Sequence, residues 1–257
     1  MPEGDRGASS FYFDDGATRI LLDCGPGAVQ TLARLDLPWA TLTDLAITHF
    51  HVDHIGALPG LFFAFKHGLP VPRSRTLDVW GPVGTVALFD GLATTLGAFM
   101  IDPGFDVRIH ELAAGDEVRL DGGTSLRTHK TPHTKESLAY RLDGDFGAVG
   151  YSGDTGRTKT LGPFMSEVNA FVCECSLLDH EVGENHLSPS AVASIAAAAA
   201  PDTLILSHIY PHVRSTTDVA GLVREAGYGG KIQIAHEGLR VEILRGPRPA
   251  PPGRPAR

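Results

Sequence analysis

The sequence has little cysteine, little basic charge and no long apolar run. Its cysteines, Cys24, Cys173 and Cys175, are three in number with no CxxC spacing. That excludes a disulfide framework and reads as buried thiols of a reducing compartment. Lysine and arginine total 22 against 30 acidic residues, a net charge of −8. No broad basic field is therefore available to hold a nucleic-acid backbone. No stretch reaches the roughly 20 apolar residues that span a bilayer. The start, "MPEGDRGASS", lacks the basic and apolar regions of a secretory signal. A cytoplasmic protein without membrane contact is the expectation. What is plentiful is glycine, 30 residues in 257, which favours tight turns over long helices. A 42% hydrophobic content suits a sizeable core in one large domain.

Along the chain, "SSFYF", "DDGA" and "TRILLDCGPG" read as strand, turn and strand, with Asp14-Asp15-Gly16 as the hairpin signal. "AVQTLARL" is helical and "DLAITH" a short apolar strand. "LPGLFFAFKHGL" reads as a buried helix, "RTLDVWGP" as a strand and "VGTVALFDGLATTLG" as a helix. Strand signals then dominate through "FDVRIHEL", "TSLRTHK", "SLAYRL" and "FGAVGYSG". An alternating phase follows: strand "AFVCECS", helix "SPSAVASIAAAAA", strand "TLILSH", helix "TTDVAGLVREAG", and strands "KIQIAHE" and "LRVEIL". Ser188 is placed to cap the first of these helices, with Pro189 at its first position. Two strand-rich halves with helices imply two sheets packed face to face and helices outside, in a single domain over residues 1–245. Residues 246–257, "GPRPAPPGRPAR", carry five prolines and no large apolar residue, and are expected to be a disordered tail.

The stretch "ITHFHVDHIG" places His49, His51, Asp53 and His54 within six positions, directly after a strand. A turn there can aim His49 and His51 at one metal ion, and Asp53 and His54 at a second. Nitrogen and carboxylate donors together suit zinc, or with less selectivity manganese or iron. Further ligands are expected at other strand ends. His133 follows "TSLRTHKTP", Asp154 sits in "YSGDTG" and His208 ends "TLILSH". His129 competes with His133, but it lies within its strand, where it could be a face residue.

At this point the sequence resembles the metallo-β-lactamase superfamily. "THFHVDH" is similar to its T-H-x-H-x-D-H signature, and "LLDCGPG", "PHTKESLAYR", "SGDTG" and "LSHIYP" follow in the family's order. The resemblance runs from about Arg6 to Leu244. It implies an α+β fold, the αββα sandwich, with two divalent metal ions at one edge. It places His49, His51, His133 and Asp154 at the first metal. Asp53, His54, Asp154 and His208 fall at the second, with Asp154 bridging and a bridging hydroxide as nucleophile. No cysteine lies in a motif where a true β-lactamase has one, which argues against antibiotic hydrolysis. His51 stands where di-iron oxygen reductases carry glutamate, which argues against redox chemistry.

Within the superfamily the ribonuclease Z-like branch, with its phosphodiesterases and arylsulfatases, is the nearest match. "CECS" resembles its H-E-A-T segment, with Glu174 as the acidic residue, and "NHLSPSAVASIA" its H-x-[ST] segment, with His186 before a helix. The resemblance implies that this pair protonates the leaving group, so that His186, Glu174 and Asp53 are the catalytic expectations. Glu174 could equally serve a surface ion pair, and His186 a local hydrogen bond at the helix start. Ser137 and Arg141 match a segment near the substrate, although Arg141 could instead pair with an acidic neighbour. Tyr140 is expected in the core. Lys66, Arg73 and Arg75 form a modest basic loop that could touch an anionic substrate.

Two departures shape the function expected. The family's tRNA-gripping arm lies between the motifs of His133 and Asp154, which here are only 21 positions apart (133 to 154). The opening strand usual before "PEGDRGASSFYF" is also missing, or the chain begins late. The expectation is a zinc-dependent hydrolase of a small phosphodiester or similar ester, for which tRNA is a poor substrate. A homodimer is left open. An arylsulfatase, a lactonase and a metal-bound protein without hydrolytic activity are the alternatives.

Overall fold

The computed structural model describes residue 4 and residues 6–243. The proline-rich segment 246–257 and the domain boundary at residue 245 lie outside the described residues. In chain order the elements are β1 (Phe11–Asp14), β2 (Arg19–Leu22), α1 (Ala28–Arg34), β3 (Asp44–Ala46), α2 (Val52–Ile55), α3 (Leu58–His67), β4 (Leu77–Pro82), α4 (Thr85–Leu96) and β5 (Val107–Leu112). The second half continues with β6 (Glu117–Arg119), β7 (Ser125–Lys130), β8 (Leu138–Gly144), β9 (Gly147–Tyr151), α5 (Leu161–Phe164), β10 (Ala170–Glu174), α6 (Pro189–Ala199), β11 (Thr203–Ser207), α7 (Pro211–Thr216), α8 (Val219–Glu225) and β12 (Ile232–Ile234).

Two sheets result, one in the order β1-β2-β3-β4-β5 and one in the order β12-β11-β10-β9-β8-β7-β6. The alternation of side chains along the strands shows why they stack into four layers. In β2, Ile20 and Leu22 join the core between the sheets, while Leu21 joins the core under α3. In β11, Ile205 faces the inter-sheet core, while Leu204 and Leu206 face the core under α6. Strands with both faces buried read as continuous apolar runs, as "RILL" and "TLIL" do. The described chain therefore forms the αββα sandwich.

Strand direction then gathers the chemistry. β2, β3, β4 and β5 are mutually parallel, as are β9, β10, β11 and β12. β7 is antiparallel to β8, which is antiparallel to β9, so β7 and β9 point the same way. The residues that follow β3, β7, β9 and β11 thus emerge at the carboxyl ends of their strands, where open α/β sheets collect their ligands.

Several local expectations need correction. "LRVEIL" forms no strand over its described residues, 239–243. Leu239, Val241 and Ile243 still pack against the inter-sheet core, so the alternation reports burial without a ladder. Ser188 is the N-cap residue of α6, but its side chain makes no capping bond; Ser188 Oγ donates to Asp179 Oδ1 at 2.5 Å instead. The short elements α2, α5, α7 and β6 are additional to those read from periodicity.

The candidate metal centre

Each loop at this edge is shaped by what it must deliver. Asp23, just after β2, is fully buried, and its carboxylate accepts four bonds. They come from Thr48 N (2.7 Å), Thr48 Oγ1 (2.8 Å), His54 Nδ1 (2.6 Å) and Tyr151 Oη (2.7 Å). Cys24 N donates to His54 O at 2.7 Å, which presses the loop after β2 onto α2. A Cβ on Gly25 would stand 2.1 Å from Asp53 O, so only glycine permits that contact. Asp23 and His208 both take left-handed backbone, with φ of 57° and 55°, conformations that non-glycine residues hold only when their surroundings insist.

The histidines are oriented by chains of donors. Thr48 Oγ1 gives its proton to Asp23, so at 3.0 Å it accepts from His49 Nδ1. The Asp23 carboxylate accepts from His54 Nδ1, and the Asn185 carbonyl from His133 Nδ1 at 2.8 Å. Ser176 Oγ donates to Glu174 Oε2 at 2.6 Å and therefore accepts from His208 Nδ1 at 2.9 Å. In all four rings the Nδ1 side is spent on an acceptor, which leaves Nε2 as the nitrogen available to a metal ion. His51 is the exception, with its Nδ1 3.0 Å from His133 Nε2.

These atoms converge on Asp154, which is 2% exposed. Asp154 Oδ2 lies 3.9 Å from His49 Nε2, 3.6 Å from His133 Nε2 and 3.4 Å from His208 Nε2. Asp154 Oδ1 lies 3.2 Å from His54 Nε2. Asp53 Oδ2 is 3.1 Å from His208 Nε2 and 3.9 Å from His54 Nε2. Two groups, His49, His51, His133 and Asp154, and Asp53, His54, Asp154 and His208, each bring one ligand atom per residue within 4.8 Å of the others. Five buried side-chain polar atoms among the described residues lack a hydrogen-bond partner, and three of them, His49 Nε2, His54 Nε2 and Asp154 Oδ1, meet here. Buried donors and acceptors are seldom left unmade. This clustering, with nitrogen and oxygen donors only, fits divalent metal ions.

The electrostatics point the same way. Burial, with the His54 ring nearby, pushes His49 down to about 2, so it stays neutral and ready to ligate. Burial also holds His133 below its ordinary range. His54 and His208 are raised instead: burial opposes their charge, but the Asp23 and Asp154 carboxylates outweigh it at His54, and Asp154 with Asp53 at His208. The carboxylates of the cluster thus favour positive charge at His54 and His208.

Glu174 and His186 adjoin this cluster. His186 Nδ1 is 3.2 Å from each Glu174 oxygen, and its ring stacks on His208 at 5.6 Å between centroids. The Glu174 carboxylate is buried and already accepts from Thr155 N (2.5 Å), Ser176 Oγ and Leu187 N (3.0 Å). It is therefore a built-in partner for His186, not a surface ion pair. His186 Nε2 bonds no described residue. At His186 burial opposes the charge, Glu174 outweighs it, and the ring is held above its ordinary range.

Ser137 and Arg141 stand elsewhere. Ser137 Oγ accepts from Thr134 N at 2.9 Å, closing the turn that presents His133. The Arg141 guanidinium is engaged by Asp143 at 2.9 Å and by the carbonyls of Phe164 (3.1 Å) and Ser166 (2.7 Å). With these donors spent on its own chain, Arg141 ties β8 to α5, in line with the alternative that it pairs with an acidic neighbour. Arg73 is likewise pinned by the carbonyls of Ala40, Leu42, Thr76 and Arg75 and stacks over Phe105, so it does not offer a free basic patch. Tyr140 is fully buried, with its hydroxyl on Ile47 O at 2.6 Å, as expected of a core residue. His129 bonds Thr160 Oγ1 at 2.9 Å, outside the cluster. Asp23, Thr48, Ser176 and Tyr210 are site residues that ligand spacing misses. Their only signal was position, at or just after an apolar strand and within the motifs.

A family model described as a β-lactamase superfamily domain matches residues 18–209. The chain belongs to the β-lactamase superfamily. Among its curated relatives is a ribonuclease Z of Mycobacterium bovis (strain BCG / Pasteur 1173P2), 25% identical over 268 residues and spanning 95% of this chain and 94% of the relative. Among solved structures, the metallo-β-lactamase fold protein YhfI from Bacillus subtilis is 23% identical, with a TM-score of 0.77 over 93% of this chain and 92% of that one. Human tRNase Z, short form, is 20% identical, with a TM-score of 0.76 over 95% of each chain. The fold is thus that of the metallo-β-lactamases, and this superfamily member is a metal-dependent hydrolase that is similar to ribonuclease Z.

Proposed function

We propose that the chain is a dinuclear, zinc-dependent phosphodiesterase that acts on small diesters and lacks a tRNA-gripping arm. The observation that carries this reading is the shared carboxylate: Asp154 completes both four-residue groups. His49, His51 and His133 would hold one ion with Asp154, and Asp53, His54 and His208 the other. Two such cations, when bound, lower the pKa of water toward neutrality and neutralise charge on a group under attack. The residues do the rest. Asp23, Thr48, Asn185 and Ser176 fix the rings, so the ligand atoms need not reorganise. His186 carries a proton at the edge of the cluster, and Glu174 favours that charged form. From there His186 gives the proton to the departing oxygen as general acid.

The substrate class rests on the ribonuclease Z relatives and on what is missing from the interval between His133 and Asp154. That interval is filled by β8 and β9, which pair antiparallel from Tyr140↔Tyr151 to Gly144↔Gly147. A tight hairpin leaves no segment to project as an arm. With a net charge of −8, the surface also offers little for the many phosphate contacts of a tRNA.

The test is a side-by-side assay of metal-reconstituted protein on bis-p-nitrophenyl phosphate, p-nitrophenyl sulfate, a lactone and a pre-tRNA. The diester should be cleaved with the highest kcat/KM. Preference for the sulfate or the lactone would reassign the substrate class. Tight, salt-sensitive binding and 3′-end cleavage of pre-tRNA would overturn the exclusion of tRNA.

A further inference from the structure

Beyond His208 the chain reads Ile209-Tyr210-Pro211, and Tyr210 has no part in the ligand set. Its ring lies 5.9 Å from the His186 ring and 5.9 Å from the His208 ring, between centroids. It therefore borders both the general acid and the second group of ligands. Two constraints hold it there. Tyr210 N donates to Ser176 O at 3.1 Å, and Ser176 Oγ is the same hydroxyl that orients His208 and supports Glu174. Pro211 follows and restricts the residue before it to extended backbone, as observed at φ −64° and ψ 145°. One serine thus registers the acid, a ligand and this phenol together.

The hydroxyl is the telling atom. The other tyrosines set around the centre are spent internally: Tyr140 Oη on Ile47 O, and Tyr151 Oη on Asp23 Oδ2. The Tyr210 hydroxyl bonds no described residue, although its ring is half-buried against the site. A phenol keeps its proton at neutral pH and is a hydrogen-bond donor. A fixed donor beside the acid, unspent among the described residues, can serve an acceptor brought by the substrate.

We propose that Tyr210 is a substrate-binding residue whose phenolic O–H donates to a non-bridging oxygen of the bound phosphoryl group. The inference rests on the phosphodiesterase reading. It names a contact that none of the ligands or the Glu174–His186 pair supplies. Because the acceptor is a non-bridging oxygen, the bond is present before and during reaction and does not depend on the leaving group.

Tyr210→Phe keeps the ring and removes only the donor. The metal-loaded variant should match the wild type in metal content and melting temperature. Its KM for methyl p-nitrophenyl phosphate should rise about 10- to 100-fold, the range expected for one hydrogen bond to a charged group, with kcat largely kept. The dissociation constant of inorganic phosphate, read by calorimetry, should rise by a similar factor. The loss should be equal for p-nitrophenyl and alkyl leaving groups. If the wild type cleaves diesters and Tyr210→Phe leaves KM and phosphate affinity unchanged, the assignment of Tyr210 is overturned alone. If the wild type neither cleaves a diester nor binds phosphate, the phosphodiesterase reading falls, and this assignment with it.

Discussion

At the scale of single residues, the division between ligands and acid can be separated by substitution. His186 leans on Glu174 and lies outside both four-residue groups that share Asp154. His186→Ala should therefore keep its metals. It should retain most activity on a p-nitrophenyl diester, whose leaving group departs unaided, and lose about 10²–10⁴ in rate on an alkyl diester. Metal analysis with paired kinetics reads both; loss of metal would make His186 a ligand. The seven candidate ligands, which the fold gathers into two groups, were legible in the sequence because metal chemistry demands particular side chains at strand ends. Asp23 was not, because its work is second-hand: it acts through Thr48, His54 and Tyr151, which only the fold assembles. Arg141 left two readings open in the sequence. Its residue type suits a phosphate, but Asp143, two positions on along β8, reaches it first.

At the scale of elements, the strands and long helices were legible because their periodicity reports two buried faces or one. The short elements were not. α2 has four residues and no pattern of its own; Cys24 and Gly25 hold it from outside, through Cys24 N on His54 O and Gly25 beneath Asp53 O. This close approach gives a clean prediction. Gly25→Ala puts a methyl group 2.1 Å from Asp53 O, with backbone on both sides of the clash. Overpacking of this kind costs about 1–3 kcal/mol. The shift should fall on α2, so affinity should drop more at the second ion, which Asp53 and His54 help hold, than at the first. Denaturant midpoints and metal titrations of the variant check both. Equal affinities at both sites with unchanged stability would contradict the role given to this contact.

At the scale of the whole molecule, the metal centre and the sandwich depend on each other. The candidate ligands come from both sheets, so filling the centre should tie the two halves together and raise the melting temperature. The pH dependence has a definite sign. In the metal-free protein His54 and His208 sit above the ordinary imidazole range of about 6.5. Their contribution to stability is present below the unfolded value and is lost as pH rises through the folded one. Metal binding needs those same nitrogens deprotonated, so its contribution grows as pH rises. The gap in melting temperature between metal-loaded and chelator-treated protein should widen from pH 6 to pH 8, which thermal scans measure. A gap that narrows would contradict the assignment of these histidines. The most direct measurement is metal stoichiometry by elemental analysis of reconstituted wild type and Asp154→Ala. Two shared groups predict about two zinc ions per chain in the wild type and loss of both sites' affinity in the variant, since Asp154 serves each. A wild type with no stoichiometric metal, or an Asp154→Ala protein that still binds two ions tightly, would contradict the account.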